Sequence, residues 1–547
     1  MSETTIFAAA KIITMNRYCP TASHVAVRDG RILGVGDLDT LAGWGDHRLD
    51  DRFADKVLMP GLVEGHCHLM EGSIWRYVYV GYHPRTGPDG RRHDGLATID
   101  DVVARLQRAD AELGDADTPL VAWGFDPIYF GGRRMDRHDL DKVSATRPVL
   151  VIHASFHLLN VNSVVLKNGG ITAATNVAGV VKDADGQPNG ELQEMAAKFM
   201  ALNTVGLDYA AETSEAAALD SFGRIAVRTG VTTATDLMNA LTDPVLDGLL
   251  AVTGREDYPV RIVPAFAGTS MPPAEGAERV TALKRRSTDK LRLGIVKLMT
   301  DGSIQGYTGR LKWPGYYNGA ANGVWNQGPD ELEGLVEAYH RAGVQIFVHT
   351  NGDEASELAI DAVEAVTARH AWRDHRHTLQ HCQMADEAQF RRMASLGMCV
   401  NLFANHIYYW GDEHYAKTMG PDRALRMDAA GTAQRLGVPF ALHSDAPITP
   451  LGPLFTAWCA VNRLTSSGRL LGEAECIGVE AALAAITLGA AYTLHLDHEI
   501  GSIEVGKRAD FAVLETDPLA LPAAELKDVP VWGTVLGGRP FQAGAEG

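Results

Sequence analysis

Short apolar segments that alternate with helical segments through most of the chain are the feature that most limits its fold. Each apolar segment has the length of a strand, and a following segment such as residues 330–340 has apolar residues at helical spacing. Eight such units suit a closed parallel barrel with an outer ring of helices. The eight candidate strands are residues 57–59, 231–235, 260–264, 293–298, 344–349, 378–381, 398–402 and 440–443. The pattern predicts an α/β fold built on a (β/α)8 TIM-like barrel.

The two ends of the chain have a different pattern, which is typical of antiparallel β structure. Alternating apolar residues flank Asp29-Gly30, a strong hairpin signal, and two more short apolar segments, 510–514 and 531–536, lie near the other end. We expect residues 1–57 and 497–547 to form one composite β-sandwich domain around a barrel of residues 58–496. Residues 71–220 are far too long for one strand–helix connection, so they predict an inserted α/β subdomain at the active-site end.

The composition is that of a globular protein, and the charge limits the partners to be expected. The formal net charge of −18 argues against nucleic acid or an anionic membrane surface as a partner. The six cysteines have no paired spacing, which favours a reduced protein over a disulfide scaffold. The first residues lack the pattern of a signal peptide, and no apolar run has the length of a membrane span. We therefore expect a cytoplasmic protein and leave a homo-oligomer open.

The segment around His66 and His68 carries the clearest sign of chemistry. These two histidines follow Pro60-Gly61 at the end of the first candidate strand. Residues at i and i+2 of a strand point to the same side, so both imidazoles can face one metal ion. An isolated pair of this kind is more often two ordinary polar residues. Matching residues further along the chain favour the metal site here.

Those matching residues end later candidate strands, where barrel enzymes carry their catalytic groups. They are Lys297, His349, His381 and Asp445. A lysine in an apolar strand has a depressed pKa, which leaves its amine neutral and reactive. Each residue alone is more often structural than a ligand. Together with His66 and His68, they are hard to explain as packing.

These motifs resemble the amidohydrolase superfamily, in particular the subgroup that includes N-substituted formamide deformylases. The resemblance extends over nearly the whole chain. It includes the segments 60–68, 296–302, 349–353, 444–447 and 501–510, and the long insertion after the first strand. One departure is Glu64, where the family usually has Asp; this is not a ligand position.

The resemblance implies a hydrolase with a divalent metal centre. His66, His68 and Asp445 would bind one ion and His349 and His381 a second, with a carboxylated Lys297 as the bridge. Zn²⁺ suits such ligands first, with Mn²⁺, Fe²⁺ or Co²⁺ as alternatives. Asp445 would take a proton from the attacking water and pass it to the leaving nitrogen. A one-metal centre without a modified lysine stays open.

The resemblance also implies that the substrate is a small molecule. We expect cleavage of an amide-type C–N bond in an N-substituted amide or formamide with an apolar or aromatic part. A deaminase or lactonase that uses the same site, or a non-catalytic assembly protein, are the alternatives. His157, Trp123 and Asp301 are candidate substrate contacts. His157 can equally be a core residue, and the aromatic residues of the insertion, among them Trp123, are expected mostly to form its core. Asp301, like His443, can instead orient a ligand or have a solvated or structural role.

Overall fold

The elements of the protein follow the predicted alternation of strands and helices. The computed structural model describes residues 3–43, 45–115 and 117–544; residues 1, 2, 44, 116 and 545–547 of the predicted domains lie outside this range. In chain order, the strands are β1 (Thr4–Ile13), β2 (Thr21–Arg28), β3 (Arg31–Gly36), β4 (His47–Pro60), β5 (Leu62–Glu64), β6 (Val78–Tyr79), β7 (Arg85–Thr86), β8 (Arg92–His93), β9 (Leu120–Phe125), β10 (Val149–His153), β11 (Leu158–Val161), β12 (Val180–Lys182), β13 (Pro188–Gln193), β14 (Val231–Asn239), β15 (Arg261–Ala267), β16 (Ile295–Met299), β17 (Gln345–Thr350), β18 (Thr378–His381), β19 (Cys399–Leu402), β20 (Phe440–Leu442), β21 (Phe511–Leu514), β22 (Val531–Leu536) and β23 (Arg539–Gln542).

The α-helices lie mostly between these strands. They are α1 (Leu38–Ala42), α2 (Met70–Ser73), α3 (Ile99–Glu112), α4 (Arg137–Asp141), α5 (Ser163–Asn168), α6 (Glu194–Val205), α7 (Tyr209–Thr213), α8 (Ala216–Arg228), α9 (Asp243–Thr253), α10 (Pro273–Lys284), α11 (Pro329–Arg341), α12 (Asp353–Arg369), α13 (Glu387–Leu396), α14 (Asn405–Glu413), α15 (Gly420–Ala424), α16 (Ala430–Leu436), α17 (Pro453–Asn462), α18 (Val479–Ala485) and α19 (Leu488–Thr493). Among the described residues, none of these helices combines the length and the apolar run needed to cross a membrane.

Eight parallel strands form the barrel. Their spatial order is β5-β14-β15-β16-β17-β18-β19-β20, which is also their order in the chain. The amide of Asp445 donates to the carbonyl of His66 at 3.0 Å, and the amide of His68 donates to the carbonyl of Ala446 at 2.8 Å. These bonds join the chain after β5 to the chain after β20, so the edge strands meet at their carboxyl ends. The structure confirms the predicted (β/α)8 barrel.

The outer helices pack on the barrel through apolar stripes. Helix α11 begins at Pro329, where a missing N–H costs nothing because the first turn leaves its amides unpaired. It buries Leu332, Val336 and Tyr339, which lie at i, i+4 and i+7 on one face. The apolar residues that predicted the helix therefore form the face that packs against the strands.

The terminal strands form a single curled sheet. Its order is β3-β2-β1-β4-β21-β22-β23, so both ends of the chain contribute. The turn after β2 meets the segment before β21, where the amide of Ala509 donates to the carbonyl of Gly30 at 2.9 Å. Phe7, Phe53 and Phe511 belong to one apolar core. Both ends of the chain therefore build one composite β unit, as expected, and the bounds of that domain remain a prediction.

The predicted first barrel strand was wrong. Residues 57–59 lie in β4 of the terminal sheet, where Leu58 pairs with Val513 and Met59 with Ala512. The barrel begins with β5, after Gly61, where an added Cβ would lie 2.0 Å from the Thr232 hydroxyl. A short apolar run does not show which of two adjacent sheets it joins, so the pattern alone could not separate β4 from β5.

The predicted insertion contains a third sheet. Its order is β6-β9-β10-β11-β13-β12, with parallel pairs at the β6–β9–β10 end and antiparallel pairs at the other. It meets the barrel at helix α14, where the Trp410 indole N–H donates to Asp126 at 3.0 Å and the Tyr129 hydroxyl donates to the Tyr409 carbonyl at 2.6 Å. The division at residues 57, 71, 220 and 496 remains a proposal; β4 continues past residue 57 and α8 contains residue 220.

Candidate metal centre

Three ligand-type side chains converge where β5 and β20 end. The Nε2 atoms of His66 and His68 each lie 3.3 Å from the same oxygen, Asp445 Oδ1. Among the described residues, that oxygen has no hydrogen-bond partner, although Asp445 is buried. Buried polar atoms are nearly always paired, so three atoms directed at one another without bonding indicate a common ligand. His66, His68 and Asp445 therefore fit a divalent metal ion.

Hydrogen bonds also fix the imidazole of His66. Its Nδ1 lies 2.7 Å from Gln380 Oε1, and this oxygen also accepts a bond from the Asn401 amide at 3.0 Å. An oxygen can only accept, so Nδ1 carries the proton and Nε2 keeps a free electron pair. That pair faces Asp445. Gln380 is the kind of outer partner that orients a metal-binding histidine, and the sequence pattern did not identify it.

A second group of ligand-type residues shares His66 with the first. It consists of His66, His381 and His443, all buried. His381 Nδ1 lies 3.8 Å from Asp445 Oδ2, and the His443 ring stacks on His66 at 4.5 Å. Neither nitrogen of His443 has a hydrogen-bond partner among the described residues. From the sequence we expected His443 to orient a ligand or to be structural; the structure adds its ring to the candidate ligands.

Lys297 and His349 lie at the side of this centre. The Lys297 amine is buried without a described hydrogen-bond partner, and its strongest favourable charge interaction is with Asp445. Burial lowers the pKa of Lys297 to about 7, as its apolar strand predicted. The His349 ring is 4.6 Å from His381, but its Nε2 faces the Gly302 carbonyl at 3.3 Å. Their roles as ligands remain predictions.

The buried imidazoles are held in the form that binds metals. Burial lowers the pKa of His66, His349 and His381 well below the ordinary histidine value, and neighbouring positive charges lower it further. Neutral imidazole has the free electron pair that coordinates a cation, and protonated imidazole does not. The pocket therefore keeps these side chains ready to bind an ion at neutral pH.

Asp445 has a strained backbone conformation, and one buried carboxyl group helps to maintain it. Asp445 and His381 have φ angles of 52° and 64°, a left-handed conformation that costs a non-glycine residue about 1–3 kcal/mol. Glu64 accepts bonds from the Ser444 amide at 3.1 Å and the Ser444 hydroxyl at 2.8 Å. Burial raises the pKa of Glu64 to about 8. Glu64, which departs from the family pattern, thus braces the residue before Asp445.

The three predicted substrate contacts have different surroundings. The His157 ring lies 5.4 Å from His349, and its Nδ1 is 2.9 Å from Glu194 Oε2, so the insertion reaches the barrel site. Trp123 is buried among aromatic rings in the insertion. Asp301 is fully buried and accepts three backbone N–H bonds, from residues 310, 351 and 352. These bonds indicate that Asp301 orients the chain after His349, and they favour this role over substrate contact.

Comparisons with known proteins agree with this geometry. The sequence profile described as "Amidohydrolase family" matches residues 54–542. The putative amidohydrolase YtcJ of Bacillus subtilis is 28% identical over 96% of this chain and 97% of its own length. The N-substituted formamide deformylase of Arthrobacter pascens is 26% identical over 97% of this chain and 96% of its own.

A solved structure has the same fold. It is an uncharacterized metal-dependent hydrolase from Pyrococcus horikoshii, with a TM-score of 0.72 and 20% sequence identity, covering 95% of this chain and 99% of that one. At this identity the likeness is evidence for the fold. The profile match shows the family, because it extends from β4 of the terminal sheet through the barrel to the last strand of the terminal sheet. The chain therefore belongs to the amidohydrolase family of hydrolases, enzymes that act on carbon–nitrogen bonds.

Proposed function

We propose that the protein hydrolyses N-substituted amides or formamides that carry an apolar or aromatic group, by means of a metal-activated water. The observation that carries this proposal is the convergence of His66 and His68 on one unpaired oxygen of Asp445. A set of two imidazoles and a carboxylate suits Zn²⁺, with Mn²⁺, Fe²⁺ or Co²⁺ as alternatives.

Further residues can complete the centre around those three. Lys297, His349 and His381 would hold a second ion if Lys297 is carboxylated, and His443 is a further candidate because both of its nitrogens are free of described partners. A bound cation of this kind supplies Lewis acidity, which ionises water near neutral pH and polarises the carbonyl of an amide. The proposal covers a centre with one ion or with two, and it covers Zn²⁺ as well as the alternative metals.

Asp445 is the residue that can move the proton. One of its oxygens faces both His66 and His68, and the other lies 3.8 Å from His381. Its backbone is fixed by bonds to His66 and Ile448, so the carboxylate keeps its position while its protonation changes. It can accept a proton from water and donate it to the leaving nitrogen, a role worth roughly 10²–10⁴-fold in rate.

The choice of an amide substrate rests on relatives and on charge. The deformylase of Arthrobacter pascens aligns with almost the whole chain. The cationic side chain identified at the centre is Lys297, which burial brings to a pKa of about 7. Apart from the proposed ion, the side chains of the centre thus add little positive charge, which favours neutral amides over strongly anionic phosphoesters. The aromatic residues of the insertion, including Trp123, favour an apolar or aromatic group on the substrate.

A substrate panel with a matched pair of variants tests the function. The panel contains N-benzylformamide, N-phenylformamide, a dihydropyrimidine, adenine and a lactone, with kcat/KM measured for metal-loaded and chelated protein. We expect the formamides to be cleaved fastest and chelation to abolish cleavage. His68→Asn should lose metal and rate, while His498→Asn, at a residue whose side chain is 68% exposed, should keep both. Ammonia release from adenine as the main reaction, or full activity without metal, would contradict the proposal.

A further inference from the structure

A half-open aromatic pocket lies between the insertion and the barrel. Its walls include Tyr79, Trp123 and Tyr129 from the insertion, Tyr409 from helix α14, and Pro447 from the loop after β20. The cavity measures about 30 Å³, the room of roughly one water molecule. Tyr82, 40% exposed, stacks on Tyr129 with ring centroids 4.8 Å apart. The cavity as it stands is too small for a ring, so a ligand ring would have to take the place of Tyr82 against Tyr129.

This pocket shares a wall with the metal centre. Pro447 and Ile448 line it and follow Asp445 by two and three residues. The amide of Ile448 donates to the Asp445 carbonyl at 2.7 Å. On the other side, the Phe403 ring lies between Trp410 at 6.3 Å and His443 at 4.8 Å. A molecule in the pocket thus lies against the same loop that carries the proposed proton carrier.

Two buried donor groups of the pocket lack acceptors. Arg85 Nε and Trp123 Nε1 form no hydrogen bond with any described residue, although both side chains are more than nine-tenths buried. The Arg85 guanidinium lies 5.0 Å from the Trp123 ring centroid, so the two groups are neighbours. Both nitrogens can only donate. A bound molecule that satisfies them must present an acceptor.

The charge of the pocket is balanced. Arg85 Nη2 pairs with Glu71 Oε2 at 3.0 Å, Glu71 is itself buried, and Arg85 Nη1 donates to the Pro447 carbonyl. His83, whose Nε2 is a third buried atom without a described partner, is neutral because burial lowers its pKa to about 4. A carboxylate or phosphate would therefore find no uncompensated positive charge here. The chemistry suits a neutral acceptor.

We propose that this pocket is a specificity site for a neutral aromatic ring that carries a hydrogen-bond acceptor, the ring being the non-reacting end of the amide substrate. The ring would stack on Tyr129, and the acceptor would pair with Arg85 Nε or Trp123 Nε1. This inference rests on the proposed amide hydrolysis for its link to the reaction. The pocket's preference for such a ring rests on the side chains alone.

The test compares substrates that differ only at the ring. For N-(4-methoxybenzyl)formamide, N-benzylformamide, N-(4-carboxybenzyl)formamide and N-(cyclohexylmethyl)formamide, we expect the methoxy ring to have the highest kcat/KM, about fivefold above benzyl. Trp123→Phe keeps a ring but removes the donor, so it should reduce that preference toward one. Trp313→Phe, at a residue that is 94% exposed, should keep it. A preference for the carboxylate, or a ratio that Trp123→Phe leaves unchanged, would overturn the assignment.

A binding measurement separates this inference from the proposed reaction. 4-Methoxybenzyl alcohol has no amide to cleave, so calorimetric titration of the metal-loaded protein reports the pocket alone. If no formamide is hydrolysed but the alcohol binds the parent several-fold more tightly than Trp123→Phe, the pocket stands and the reaction is wrong. If the alcohol binds both equally or neither, the pocket assignment fails.

Discussion

Two buried histidines, His340 and His377, lie at the opposite end of the barrel strands and should make stability depend on pH. The amide of Ile346 donates to His377 Nδ1 at 3.1 Å, so the His377 proton is on Nε2. That nitrogen lies 2.9 Å from His340 Nδ1, and His340 Nε2 lies 2.7 Å from the His370 carbonyl. Each ring in this chain uses one nitrogen as donor and the other as acceptor. An added proton would place two donors face to face.

Because His377 stays neutral in the folded protein, it lowers the free energy of unfolding in acid. Burial, helped by His375 and His340, lowers its pKa well below the ordinary value, whereas in the unfolded chain that pKa is about 6.5. Since the folded value is depressed, the contribution of His377 is fully present above pH 6.5 and is lost as pH falls below it. The loss is about 1.4 kcal/mol per pH unit, or roughly 2 kcal/mol at pH 5.

The substitution His377→Gln isolates this effect. A glutamine can accept from Ile346 and donate to His340 but does not titrate in this range. The variant should be less stable than the parent at pH 8, and the gap should narrow by about 2 kcal/mol at pH 5. With an unfolding entropy of roughly 2.1 cal/mol/K per residue, that is about 2 °C in Tm for a cooperative transition.

Calorimetry of metal-loaded protein at pH 8, 6.5 and 5 measures the gap. Acid release of metal affects parent and variant alike, so it cancels in the difference. His498→Gln, a change at an exposed histidine, should follow the parent at every pH. A parent–variant gap that stays constant from pH 8 to pH 5 would show that His377 is not kept neutral by its partners.

Three further predictions concern the metal centre. Asp445→Asn should reduce kcat by at least about 10³-fold while circular dichroism shows the fold intact, and a loss of only a few-fold would make this carboxylate structural. Lys297→Ala should lose metal and rate, with partial recovery in short carboxylic acids; normal metal content and rate would favour the one-metal centre. Glu64→Ala should weaken metal binding by about 10–100-fold, and Glu64→Gln by less because its oxygen can still accept from Ser444. Titration with Zn²⁺ against a competing chelator measures this, and unchanged affinity in Glu64→Ala would refute the bracing role.

Much of the candidate centre could be predicted from the sequence because local rules control it. Strand alternation predicted that His66 and His68, two residues apart, face the same side. In the structure both residues follow β5, which ends at Glu64, and their imidazoles converge on Asp445. Lys297 and His381 lie in strands that the apolar pattern identified, and parallel strands in a barrel place their carboxyl ends together. Such arguments need only the spacing along one strand and the direction of all the strands.

The residues that the pattern missed act across long distances in the chain. Gln380 orients His66 from 314 positions away, and Glu64 holds Ser444 across 380 positions. Glu64 lies in the motif that contains His66, and Gln380 is next to His381. The spacing along the chain does not identify the partner of either residue, because that partner is set by how the barrel closes. The prediction for residues 57–59 failed for a related reason. The strands β4 and β5 are adjacent apolar segments, and only the folded structure shows that they join different sheets.

The position of Asp445 shows why closure and chemistry are connected here. Its amide donates to the His66 carbonyl, its carbonyl accepts from Ile448, and Glu64 holds its neighbour Ser444. The backbone is thus fixed in a strained conformation by groups from both edges of the barrel. Both carboxylate oxygens remain directed at histidines instead of being used to hold the loop. Because the strain is maintained by bonds that exist only in the closed barrel, the centre can assemble only when the first and last strands meet.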